Sequence, residues 1–95
     1  MQTQANVKTA SGELYMKKLC RHFAHKVPAT VNGAQGLIEF PFGRCRLDAT
    51  GEQLHLAIDL TDSELVERAE QVVGSHLLRM APKEALEVNW QRTEH

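Results

Sequence analysis

The sequence predicts an α+β fold: a two-layer sandwich in which a mostly antiparallel sheet of about five to six strands carries two helices on one face, in the order β-α-β-β-β-β-α-β. Three observations predict it. Several segments alternate apolar and polar residues with the period of a half-buried strand. Two stretches, one after Ser11 and one after Thr61, repeat their apolar residues at helical spacing. An Asn32-Gly33 pair with apolar residues on both sides marks a tight hairpin. One-faced strands and one-striped helices bury their apolar sides by packing on each other, which makes two layers.

Thr3, Ala5, Val7 and Thr9 alternate with Gln2, Gln4, Asn6 and Lys8, so the chain opens on a strand. Ser11 is placed to cap a helix, and Glu13 suits the positive end of its dipole. Met16, Leu19, Cys20 and Phe23 form its apolar stripe; Lys17, Lys18, Arg21, His22 and His25 fall around the other side. Pro28 disfavours helical geometry at Val27, so the helix should end near Lys26.

Asn-Gly at the centre of the hairpin pairs Val31 with Ala34, Ala29 with Gly36 and Val27 with Ile38. Ile38, Phe40 and Phe42 continue the inward face. Beyond them Cys45 and Leu47 look inward, so Pro41 and Gly43 must make a turn or bulge that changes parity. A four-residue loop at Ala49-Thr50-Gly51-Glu52 then sets Arg46 opposite His55 and Cys45 opposite Leu56.

Thr61-Asp62-Ser63-Glu64 reads as a capping box. The helix it opens places Leu65, Val66, Ala69, Val72, Val73, His76, Leu77 and Met80 on one face and Gly74 on the opposite side, and Pro82 ends it. Leu86, Val88 and Trp90 alternate with polar residues as a last strand, and the final residues should fray.

With 95 residues the chain makes one domain, 1–95, with a single core. The formal charge is −1, so no global field draws it to nucleic acid or an anionic membrane. No apolar run approaches the ~20 residues of a membrane span, so membrane insertion is not expected. Met1-Gln2-Thr3-Gln4 lacks the basic and apolar regions of a secretory leader. The expected location is cytoplasmic, with both cysteines reduced.

The candidate chemistry lies in the histidines, cysteines and arginines. His22 and His25, three apart on one helix, can point the same way toward a metal. Cys20 lies about 200° around that helix from His22 and cannot join them. A metal site there needs Cys45, His55 or an acid from another element, or a second subunit; the alternative is a solvated basic face. Cys20 and Cys45 both point inward, as buried apolar side chains or a redox pair. His76 sits in an apolar stripe and needs a hydrogen-bond partner there, or serves a pocket as ligand or proton carrier.

Arg44 and Arg46 share the outer sheet face with Glu39, Asp48, His55 and Asp59, as solvated pairs or as a small-anion site or subunit interface. Phe40, Phe42 and Trp90 face the core, leaving no aromatic platform for nucleic acid. No nucleophile elbow, phosphate-binding glycine loop or His-Glu-x-x-His motif is present, so an enzyme is not the leading expectation.

Leu-Cys-Arg-His-Phe-Ala-His-Lys-Val-Pro (19–28), Phe-Pro-Phe-Gly-Arg-Cys (40–45) and the stretch from His76 to Trp90 together resemble a small bacterial family catalogued as domain of unknown function 2218. Met80 and Pro82 depart from it, standing where that family has aromatic residues. The resemblance implies no reaction and carries over no catalytic residue. It implies a loose association with iron and siderophore handling. The expected function is thus a non-enzymatic accessory or binding protein linked to a metal, an iron-siderophore chelate or haem. Its candidate ligand residues are His22, His25, His76, Arg44 and Cys45. The alternatives are a homodimeric interaction module, or a small enzyme with a pocket at His76 and Cys45.

Overall fold

Six strands and two helices follow one another in the order that alternation and periodicity predict. They are β1 (Gln2–Lys8), α1 (Gly12–Phe23), β2 (Ala29–Asn32), β3 (Gln35–Phe40), β4 (Gly43–Thr50), β5 (Gln53–Leu60), α2 (Val66–Met80) and β6 (Gln91–Thr93), with a 3-10 turn (Ser63–Leu65) leading into α2. The computed structural model describes residues 1–93, so the expected fraying of residues 94 and 95 lies outside the described residues.

The strands form one antiparallel sheet in the order β2-β3-β4-β5-β1-β6. β1 therefore lies inside the sheet, between β5 and β6. α1 carries the chain from β1 across β5, β4 and β3 to the far edge, and α2 returns it to β6 at the other edge. Thr3, Ala5 and Val7 of β1, Ile38, Cys45, Leu47, and Leu54, Leu56, Ile58 and Leu60 of β5 form the inner face. Met16, Leu19, Cys20 and Phe23 of α1 and Val66, Ala69, Val73 and Leu77 of α2 close over it in one cluster. Complete burial of each large aliphatic side chain stabilises by roughly 1.5–3 kcal/mol.

The turns differ from expectation by even steps. Asn32 pairs with Gln35, so Gly33 and Ala34 are the central residues and Ala29 lies opposite Ile38, not Gly36. Gly33 has φ +62 while no non-glycine residue has positive φ. Glycine first and an ordinary residue second is the type II′ pattern, so Asn32 is not needed in the turn. Likewise a two-residue loop, Gly51-Glu52, sets Arg46 opposite Ala57 and Cys45 opposite Ile58 in place of His55 and Leu56. A slip of two residues leaves every side chain on its expected face. The parity change is a tight turn at Pro41-Phe42, with Phe40 opposite Gly43; Phe42 therefore sits in the turn, stacked on Phe40 at a centroid distance of 4.7 Å.

Helix ends also depart from the expected text. Ser11 makes no side-chain cap; its amide donates instead to Thr9 Oγ1 at 3.1 Å. α1 stops at Phe23, before Lys26, because the Lys26 and Val27 amides both donate to the Phe23 carbonyl at 2.9 Å and close the chain into a turn. Thr61 is exposed and caps nothing; Asp62 accepts from the Glu64 amide at 2.9 Å and caps the 3-10 turn.

The buried face of α2 is Val66, Ala69, Glu70, Val73, Gly74 and Leu77. It is rotated from the expected stripe, leaving Leu65 exposed and Val72, His76 and Met80 at the margin. Gly74 is thus buried, not opposite, and faces Trp90 and Val88. Leu86, Val88 and Trp90 are half-buried in the expected alternation, yet only Gln91–Thr93 is a hydrogen-bonded strand. The residues before it pack on α2, away from the edge of the sheet.

Candidate functional site

Two arrangements could carry chemistry: a ring cluster where α1 meets α2, and the open polar face of the sheet. The ring cluster follows from where α1 ends. Its last turn places His22 and Phe23 against the margin of α2, where His76 stands. The His22 and His76 ring centroids are 4.9 Å apart, Phe23 lies 5.0 Å from His22 and 4.9 Å from His76, and Phe40 continues the row at 4.8 Å from Phe23. His76 is half-buried, and its Nδ1–H donates to the Val72 carbonyl at 2.6 Å. That bond engages Nδ1 and leaves Nε2 without a protein partner among the described residues, the usual orientation of a ligating imidazole. Desolvation pushes His22 below the ordinary histidine range, and His76, His25, Lys26 and Arg79 lower it further. That direction favours the neutral imidazole at His22.

The expected partner of His22 was His25. α1 ends before it, so His25 lies in the exposed turn and the close partner of His22 is His76, on the other helix. Among the described residues no group of three or more His, Cys, Asp or Glu side chains gathers at a spacing that would hold a metal. Cys45 and His55 do not join the pair.

Cys20 and Cys45 are both buried free thiols under α1. Burial pushes Cys45 up to about 12, with a contribution from the neighbouring Cys20, and burial raises Cys20 as well. A thiol so protonated is neither nucleophile nor redox couple at neutral pH. Cys45 is completely sealed, facing Ile38 and Ile58 across the sheet, while His76 stands at the molecular margin. The two do not share a site.

On the open face the register builds three cross-strand rows. Glu39, Arg44, Asp59 and Gln2 form one; Thr30, Leu37, Arg46, Ala57 and Gln4 the next; Asn32, Gln35, Asp48, His55 and Asn6 the third. Arg44 faces Glu39 at 3.5 Å and Arg46 faces Asp59 at 3.1 Å. Exposed pairs of this kind contribute at most about 1 kcal/mol; each guanidinium faces a carboxylate across the strands, which is the solvated-pair arrangement.

Sequence periodicity missed Glu70, a carboxylate on the buried face of α2. Thr3 Oγ1 donates to it at 2.6 Å and Arg92 clamps it through Nε and Nη2 at 3.0 and 2.8 Å. The Arg92 hydrogen bonds hold it below the usual carboxylate range, against the opposing effect of desolvation. Glu84 does similar work for the preceding loop, accepting from Thr9 Oγ1 at 3.0 Å and from the Tyr15 hydroxyl. No sequence spacing links these partners, which are brought together from 22 to 75 residues apart.

A family model described as an uncharacterised protein conserved in bacteria, DUF2218, matches residues 4–91. Among solved structures, the NMR structure of PA4090 from Pseudomonas aeruginosa is 31% identical, with a TM-score of 0.82, covering 99% of this chain and 98% of that one. No curated protein matches. No helix among the described residues is long and apolar enough to cross a membrane.

Proposed function

We propose, from the premise that the chain belongs to the uncharacterised bacterial family DUF2218, that it is a non-enzymatic binding protein for a transition metal held in an anionic chelate. The His22–His76 pair would be the point of contact. The observation that carries this reading is the 4.9 Å separation of two imidazoles from different helices. With metal–nitrogen bonds of about 2.0–2.1 Å, two imidazoles in adjacent positions on one metal hold their centroids about 5 Å apart. Haem held between two imidazoles needs them on opposite sides, about 6.4 Å apart, so the pair fits haem less well.

Two ligands do not complete a bare metal's coordination, and the charges nearest the pair, on Lys26 and Arg79, repel a free cation. The same charges attract a chelate with net negative charge. An anionic iron or zinc chelate with two open adjacent positions, the siderophore class included where it leaves such positions, meets both conditions. Zinc nitrilotriacetate has that geometry and charge. Titrated into the protein, it should give saturating shifts of the His22 and His76 ring resonances, which His22→Ala or His76→Ala abolishes and His25→Ala only weakens. Equal response to nitrilotriacetate without metal, or no response, would sink the reading.

A second reading, a homodimeric interaction module, is favoured by the edge strand β2, where Thr30, Val31 and Asn32 are exposed beside unpaired backbone. It requires a scattering mass that rises with concentration; a strict monomer at high concentration removes it.

A further inference from the structure

The open face of the sheet carries a separate concavity of about 530 Å³, in the range of small-molecule sites. Leu37 and Ala57, on either side of Arg46 in the middle row, give it an apolar floor. The charges around that floor are accounted for with one exception. Arg46 is neutralised by Asp59, whose other oxygen accepts from Gln2 at 2.9 Å. His55 is tied through Nδ1 to Asn6 Oδ1 at 2.5 Å, and its Nε2 has no protein partner among the described residues. Asp48, between Gln35 and His55 in the third row, is half-buried and has no ion-pair or hydrogen-bond partner among the described residues.

We propose that this concavity binds a small organic cation, a primary ammonium or guanidinium on a short hydrocarbon body, with Asp48 as its counter-ion. The chemistry is complementary in each part. An ammonium or guanidinium carries several donors and no acceptor, and Asp48 and the Gln35 amide oxygen are acceptors side by side at one end of the concavity, next to the His55 ring. The hydrocarbon body lies over Leu37 and Ala57. The nearest cation, Arg46, already faces Asp59, and a nucleobase finds no aromatic side chain in the lining but His55 to stack on.

The test is a titration of the whole chain with agmatine and with cadaverine, followed by two-dimensional amide NMR. The expected result is saturating shifts at Gln35, Asp48 and His55 with each amine, and none with the neutral analogue 1-pentanol. Asp48→Asn, an exposed-face isostere whose spectrum should otherwise superimpose on the parent, should weaken binding at least about tenfold, as loss of a charge-assisted hydrogen bond implies. His22→Ala with His76→Ala should leave it unchanged, so the two sites fail independently. Absence of saturation with both amines, or binding that Asp48→Asn leaves intact, overturns the proposal.

Discussion

Gly43 has φ +151, and a Cβ built there would overlap the Asp59 carbonyl oxygen on the neighbouring strand. Gly43→Ala should therefore cost about 2–4 kcal/mol, read as a lower urea midpoint at unchanged slope. Glu70 gives a pH prediction. Its folded-state acidity is stronger than its unfolded one, so it contributes stability above the ordinary carboxylate value of 4.5 that is lost as pH falls through the lower folded value. Glu70→Gln should lower the thermal midpoint at pH 7 and have progressively less effect as the pH drops below about 4; an equal loss at both ends would show that the carboxylate charge is not the cause. The thiols make a third case. With Cys45 sealed and held near 12, and Cys20 raised by burial, neither should react with iodoacetamide at pH 8 until denaturant unfolds the chain. Fast labelling of the native protein would contradict the burial. The first two properties are not legible from spacing, because each depends on what another element places against the residue; the inward turn of the two cysteines is.

At the scale of elements, the alternating strands and apolar stripes were legible, and their ends were not. A strand declares its inward face every second residue, but a turn only has to bring the strands together, so registers slip by two at no cost in burial. α2 shows the limit of periodicity. A stripe drawn through its hydrophobic residues omits Glu70 and Gly74, yet both face inward, because Arg92 and Thr3 satisfy the one and Trp90 packs on the other. A methyl at Gly74 would meet Trp90 Nε1 at 3.5 Å and Val88 at 3.9 Å, ordinary contact distances. Gly74→Ala should thus stabilise α2 by roughly 0.5–1 kcal/mol. Gly74→Leu should displace Trp90, and its fluorescence reports both outcomes.

For the whole molecule, the placing of β1 between β5 and β6 ties the two ends of the chain to one core. Glu84 and Arg92 fasten the last segment to β1, α1 and α2. Unfolding should be a single event: Trp90 fluorescence and far-ultraviolet circular dichroism should share one urea midpoint. An earlier fluorescence transition would mean that the segment after α2 detaches by itself.

Much of this protein was determined by the sequence alone: the α+β class, the element order, the inward faces of β1 to β5, and the burial of Cys20 and Cys45. These follow from the periods of two and 3.6, which any packed arrangement must respect. The tertiary structure decided strand order, register, the rotation of α2, the pairing of His22 with His76 in place of His25, and the isolation of Asp48 on the open face. Each is a contact between residues distant in the chain, chosen by which packing satisfies buried polar groups and fills the core, and local sequence carries no record of that choice.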